Sequence, residues 1–170
     1  KQEPARRRAK GIPMKLAFVI PAYNEEALIG KCLESVLAEI KRSGADADVI
    51  VVNNASTDRT GEIARSFSGV RVVDEPKKGL VNARDAGFAA SEGYELVANI
   101  DSDTIVPEGW LDVVLREFGN DSKLVCLSGP YVYYDMAIHN RVLISLFYGL
   151  TYLIYILNRF LLRVGSVVQG

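Results

Sequence analysis

The sequence predicts an α/β domain, a mostly parallel sheet with helices on both faces. Three observations carry this. Short, wholly apolar runs such as Leu16-Ala17-Phe18-Val19-Ile20 read as strands buried on both faces. Segments with helical spacing alternate with those runs along most of the chain. Polar clusters follow Ile20, Val52 and Ile100, where strands end and the ligands of parallel sheets bind.

Residues 1–14 form a basic, flexible lead-in containing Pro4, Gly11 and Pro13. The first strand, Leu16–Ile20, stops at Pro21. Glu25 to Lys41 carries apolar residues at Leu28, Ile29, Leu33, Val36, Leu37 and Ile40, a helical spacing ended by Ser43-Gly44. Val49–Val52 is the second strand. Asn54-Ala55-Ser56-Thr57-Asp58 is a turn rich in capping residues before a helix over Gly61–Phe67. Val70–Val73 is the third strand, and Leu80–Ala90 a helix opened by Gly79. Glu95–Ile100 is the fourth strand, and Asp101-Ser102-Asp103 follows it. Pro107 suits the first turn of a helix carrying Trp110, Val113, Val114 and Phe118. Leu124–Leu127 reads as a fifth strand. A domain over 15–135 is expected to end there.

Residues 136–170 differ. Val142–Leu157 is apolar on nearly every face, between Arg141 and Asn158-Arg159. A core or interface helix fits. So does a helix lying in a membrane interface, with Tyr148, Tyr152 and Tyr155 at headgroup depth. A true span is the third reading, and the stretch is shorter than the roughly 20 residues a span needs. The chain opens on Lys1 and closes on Gly165–Gly170 without a completed element, so it is expected to be trimmed, with the rest of the acceptor half missing.

Composition narrows the class. The chain has 170 residues, 49% hydrophobic and 24% charged, which supports one globular domain with a sizeable core. A net charge of -1 gives no reason to expect a nucleic-acid partner. Lys1, Arg6, Arg7, Arg8, Lys10 and Lys15 make the start basic. That is a solvated tail or a patch drawn to anionic lipid, at roughly 1 kcal/mol per basic residue near the surface. Cys32 and Cys126 read as two small buried hydrophobes in a reducing compartment. No signal peptide is visible. A cytoplasmic protein is expected, with any peripheral contact, through Val142–Leu157 and the basic start, at the cytoplasmic face of a membrane.

Asp101 and Asp103 flank one residue, so they can converge on one ion. Hard carboxylate oxygens suit Mg²⁺ or Mn²⁺, which bridge to phosphate oxygens. An Asp-rich turn capping the next helix is the structural reading of the same residues. After the first strand comes Pro21-Ala22-Tyr23-Asn24-Glu25-Glu26. Tyr23 offers a flat surface to a base and Glu25 an acceptor for ribose hydroxyls, while Asn24 also suits a helix N-cap. Asn53-Asn54 can meet a base edge or simply make an Asx turn. Arg84 can reach phosphate oxygens with its planar fork, or pair with Asp85 or Glu92.

Taken in order, these pieces resemble the family 2 glycosyltransferases, inverting enzymes of the Rossmann-like GT-A fold. The matching residues are Phe18 through Glu26, Val51 through Asp58, Gly79 with Ala83-Arg84-Asp85-Ala86-Gly87, and Asn99-Ile100-Asp101-Ser102-Asp103. The resemblance implies a nucleotide-diphosphate sugar donor and a divalent metal, Mn²⁺ or Mg²⁺. It implies Asp103 on the metal and Asp101 on the ribose or metal. Pro21, Tyr23, Glu25 and Asn54 would surround base and ribose, with Arg84 near the donor. Asn53 and Asp85 depart from the family pattern, and neutral amides at Asn53-Asn54 incline the donor toward UDP over GDP. Inversion onto a lipid-linked or polysaccharide acceptor would need a carboxylate base. None is identified: Glu108 and Asp135 are the acids after Asp103 that come into consideration, and neither fits the family pattern. A non-catalytic nucleotide-sugar binding module and a sugar nucleotidyltransferase are the alternatives. The latter would want a Gly-rich phosphate loop where Pro21–Glu26 stands.

Overall fold

The structure, a computed structural model, describes residues 14–129 and 138–157. Residues 14–124 form one compact unit and the described residues from Val125 a second. In chain order the first unit comprises β1 (Leu16–Ala22), α1 (Ile29–Ser43), β2 (Ala47–Asn54), α2 (Thr60–Ser66), β3 (Val70–Glu75), α3 (Leu80–Ala90), β4 (Leu96–Asn99) and α4 (Trp110–Asn120). The four strands are parallel, in the order β3-β2-β1-β4.

The apolar runs dictate this. Every residue of β1 is buried, so it needs cover on both faces and neighbours on both edges. On one face Phe18, Ile20, Val49 and Val51 meet Ile29, Cys32, Leu33 and Val36 of α1, with Ala64 of α2 and Leu111 and Val114 of α4. Trp110 stacks at a tilt on Phe18, with ring centroids 5.7 Å apart. On the other face Val19 and Val52 meet Ala83 and Ala86 of α3. There α3 comes so close that a Cβ on Gly87 would stand 2.3 Å from Val19 Cγ1. Each fully buried Val, Leu, Ile or Phe contributes roughly 1.5–3 kcal/mol.

The chain steps outward from β1 to β2 to β3, then returns through α3 to lay β4 on the opposite side of β1. Because α1 and α2 lie on one face and α3 on the other, the sheet is doubly wound, and the order reverses between β1 and β4. A crevice opens outside the carboxyl ends of strands at such a reversal.

Several expectations change. Leu124–Leu127 forms no strand: Val125 is 93% exposed and Leu127 is exposed as well. An apolar run specifies a strand only where a neighbour offers its backbone, and no ladder reaches these residues among those described. Cys126 is accordingly exposed, while Cys32 is buried as expected. Val113 is also exposed, because the inward stripe of α4 runs through Trp110, Leu111 and Val114. Pro107 lies in the turn before α4, where its carbonyl accepts from Trp110 N–H at 3.3 Å. Asn24 does not cap α1. It is in a left-handed conformation (φ 54°), and its Oδ1 accepts from Thr57 N–H at 2.8 Å.

In the second unit, α5 runs over Ile138–Ile156, starting before the expected Val142. His139 stands exposed at its start. Leu143, Leu146, Phe147, Leu150 and Leu153 are all exposed. No helix among the described residues is long and apolar enough to cross a membrane. The basic lead-in over 1–13, Asp135 and residues 158–170 lie outside the described residues.

Candidate functional site at the strand carboxyl ends

A cavity of about 430 Å³ lies at the reversal point. Pro21, Ala22, Tyr23 and Glu25 line it from the end of β1, and Asn54 from the end of β2. Lys78, Gly79, Leu80 and Ala83 line it from the start of α3, and Asp101, Ser102 and Asp103 from the turn after β4. All the residues picked from sequence for this site line it except Arg84 and Asn53, whose Nδ2 donates instead to Asp74 Oδ1 at 2.8 Å. Arg84 stands beside the cavity, its guanidinium 4.0 Å from Asp101 Oδ1, with both side chains about half exposed. Its partner at salt-bridge distance is Asp101, in place of the expected Asp85 or Glu92.

The acidic corner has a simple local cause. Ile100 N–H still donates to Val19 O at 3.1 Å, continuing the ladder past β4, and Thr104 N–H closes a turn onto Asp101 O at 3.0 Å. Ser102 faces inward at 7% exposure, so Asp101 and Asp103 on either side of it face out. Beneath them Cys32 Sγ lies 3.7 Å from Asp101 O, and burial pushes its thiol up to about 12, so it is a neutral floor. Glu25 faces this corner. Burial raises its carboxyl above the ordinary value, and the charges of Asp103 and then Asp58 raise it further.

That crowding tests the donor set for a metal. Hard carboxylates concentrated at one corner, with one carboxyl made harder to ionise by another, are relieved by a divalent cation. Asp101 and Asp103 therefore fit Mg²⁺ or Mn²⁺ chemistry, although no group of three or more metal-ligating side chains is assembled among the described residues. The remaining ligands of a hard ion would come from phosphate and water.

The β1 and β2 loops are tied together reciprocally. Asn24 N–H donates to Ser56 Oγ at 3.2 Å, Glu25 N–H to Thr60 Oγ1 at 2.7 Å, and Glu26 N–H to Asp58 Oδ2 at 3.1 Å. In return, Thr57 N–H donates to Asn24 Oδ1, and Arg59 N–H to Glu26 Oε2 at 3.0 Å. These bonds fix the backbone carrying Tyr23 and Glu25.

Asn54, at 3% exposure, does something the sequence did not show. Its Nδ2 donates to Glu75 O at 3.2 Å and Lys77 O at 2.8 Å, and its Oδ1 accepts from Gly79 N–H at 2.8 Å. Both amide hydrogens hold the loop before α3, which leaves at most one lone pair for a ligand. Gly79 has φ 135°, which favours glycine. Neighbouring Lys78 had no role in the sequence reading. Its Nζ donates to Tyr23 Oη at 2.6 Å and lies 3.9 Å from the ring centroid. Its place, immediately before a helix-opening glycine at the sheet's carboxyl end, was the available signal.

Comparison with known proteins follows this geometry. Over 120 residues the chain is 31% identical to the chondroitin synthase of Pasteurella multocida, covering 68% of this chain and 12% of that protein. It is 30% identical over 125 residues to the glycosyltransferase GlyG of Streptococcus pneumoniae, covering 71% of this chain and 40% of that one. A crystal structure of glucosyl-3-phosphoglycerate synthase from Mycobacterium tuberculosis with UDP superposes with a TM-score of 0.53 at 28% identity, over 64% of this chain and 41% of that chain. The same enzyme has been solved with Mn²⁺, UDP and phosphoglyceric acid, at a TM-score of 0.51 and 29% identity, over 62% of this chain and 38% of that chain. The chain thus spans well under half the length of these relatives. The profile of glycosyl transferase family 2 matches residues 17–165, and with the parallel sheet and its reversal this makes the chain a member of the family 2 glycosyltransferases, with a GT-A fold.

Proposed function

We propose that this chain forms the donor-binding part of a glycosyltransferase that moves a sugar from a nucleotide-diphosphate donor. The observation that carries the reading is the single cavity into which three strand ends bring Tyr23 and Glu25, Asn54, and Asp101 and Asp103 together. Tyr23 offers its ring to the base and Glu25 its carboxyl to the ribose hydroxyls. Asp103, with Asp101, would hold Mn²⁺ or Mg²⁺ against the diphosphate. When bound, the ion supplies charge stabilisation for the departing diphosphate. Arg84 adds a fixed positive charge beside Asp101. UDP is favoured over GDP: Asn53 and Asn54 are neutral, and the solved relative carries UDP.

The transfer proceeds with inversion onto a polysaccharide or lipid-linked acceptor. The polysaccharide reading draws on relatives named chondroitin synthase and hyaluronan synthase. The lipid reading draws on the exposed apolar side chains of α5, which also favour a peripheral membrane contact at the cytoplasmic face. Inversion needs a base, and among the described residues no acid after Asp103 lines the donor cavity. Glu108 lines a separate hollow with Ser35, Glu39 and Arg42. The base therefore comes from outside the described residues.

The test is a titration of UDP- and GDP-sugars, with Mn²⁺ and with chelator, read as thermal stability. A ligand at one hundred times its dissociation constant stabilises by about 2.7 kcal/mol. We expect metal-dependent stabilisation by UDP-sugars that Asp103→Ala removes. Stabilisation indifferent to both chelator and Asp103→Ala would overturn the donor site.

A further inference from the structure

We propose that Lys78 selects ligands bearing a diphosphate by exchanging its ammonium between Tyr23 and a phosphate. The inference rests on the donor-site reading above and names the residue that enforces it.

Lys78 and Tyr23 line the same cavity. The ammonium rests on the phenol, 2.6 Å from Oη and 3.9 Å from the ring centroid. No carboxylate pairs with it at salt-bridge distance among the described residues, although Asp101 and Asp103 line the cavity too. Its resting partner is thus a neutral phenol and a ring quadrupole, a contact weaker than a charge-assisted bond to phosphate. An anion entering the cavity offers the better partner, and the four-carbon stem lets the ammonium reach it.

The backbone beneath does not need to move. Asn54 holds the carbonyls of Glu75 and Lys77 and the N–H of Gly79, bracketing Lys78 on both sides. Only the side chain is free to swing. When it leaves, Tyr23 gains the space and loses its cation, so the ring becomes available to a base. A nucleoside lacking phosphate must displace the ammonium without offering it anything. A nucleoside diphosphate removes it and is held by it. The same motion therefore disfavours one ligand and favours the other.

The experiment measures dissociation constants of uridine, UMP and UDP, and the guanosine series, for the 170-residue chain with Mg²⁺. The variants are Lys78→Met, which keeps the stem's bulk, and Lys78→Arg, which keeps the charge. We expect Lys78→Met to weaken the diphosphate at least about tenfold, while the nucleoside binds as well as before or better. The preference for diphosphate then collapses, with the monophosphate intermediate, and Lys78→Arg restores most of it. A merely supporting role for Lys78 would weaken nucleoside and diphosphate by the same factor, and that result overturns the proposal. So does an unchanged diphosphate affinity in Lys78→Met. If the wild-type chain binds nucleotides of neither series, the donor-site reading itself fails.

Discussion

Asn54 puts both amide hydrogens and one carbonyl lone pair onto the backbone between Glu75 and Gly79. From sequence it was a possible base reader or an Asx turn. It turns out to splice the end of β2 to the start of α3, 25 residues later. Such a role is illegible in sequence, because the partners are backbone atoms of any residue type. The place of Asp101 and Asp103 at the cavity was legible, because they directly follow a buried strand at the sheet's carboxyl end. Truncating Asn54 strands two carbonyls and an N–H in a partly buried place. Asn54→Ala is therefore expected to destabilise the domain by about 1–3 kcal/mol, read by urea denaturation. It should also weaken nucleotide binding, because Lys78 and Gly79 lose their fixed backbone. Asn54→Asp should fail similarly, since a carboxylate cannot donate to the carbonyls of Glu75 and Lys77.

At the scale of elements, α4 is anchored by a residue far from it in sequence. Glu39 of α1, at 2% exposure, accepts from Leu111 N–H at 2.9 Å and Gly109 N–H at 3.1 Å. Arg42 donates to the same carboxylate through two nitrogens, at 2.7 and 2.9 Å. The Arg42 hydrogen bonds, aided by those backbone donors, lower the Glu39 carboxyl from about 4.5 to about 2 against the opposing effect of burial. In the unfolded chain Glu39 binds a proton more readily than in the folded one. Its stabilisation is therefore present above about pH 4.5 and disappears as pH falls toward 2. Glu39→Gln should lower stability at pH 7 by about 1–3 kcal/mol, since Arg42 and two N–H groups keep a weaker acceptor. The gap between wild type and variant should close by pH 2 in denaturation curves. A gap that persists at low pH refutes the role. The sequence showed the apolar stripe of α1 and hid Glu39, because nothing in the pattern separates a buried helix carboxylate from a solvated one. It misjudged Leu124–Leu127 for a related reason, because an apolar pattern records a tendency to be covered and omits the covering partner.

Across the whole first unit, legibility follows burial. β1 and β2 were read from sequence because double-sided burial leaves unbroken apolar runs, whereas the strand order that lays β4 beside β1 is seen only in the structure. The half-exposed edge strands gave weaker patterns, and the loops that line the cavity were read from the types of their polar residues and not from periodicity. The same gradient should appear in stability. β1 is paired on both sides and wholly buried, whereas β3 and β4 each have one strand neighbour. Amides of β1 and of the β2 residues Val49–Val52 are expected to exchange slowest in native-state hydrogen exchange, with β3 and β4 faster. Equal protection across the four strands would contradict a domain nucleated on its two central strands.

The five reciprocal bonds between the loop at Asn24–Glu26 and the loop at Ser56–Thr60 have a consequence for engineering. Each loop supplies the other's hydrogen-bond partners, so neither is a module. A chimera that takes the loop at Asn24–Glu26 alone from a relative inherits donors and acceptors whose counterparts stayed behind. Transplanting both together moves a self-sufficient pair, and the natural unit of exchange for altering donor choice in this scaffold is that pair.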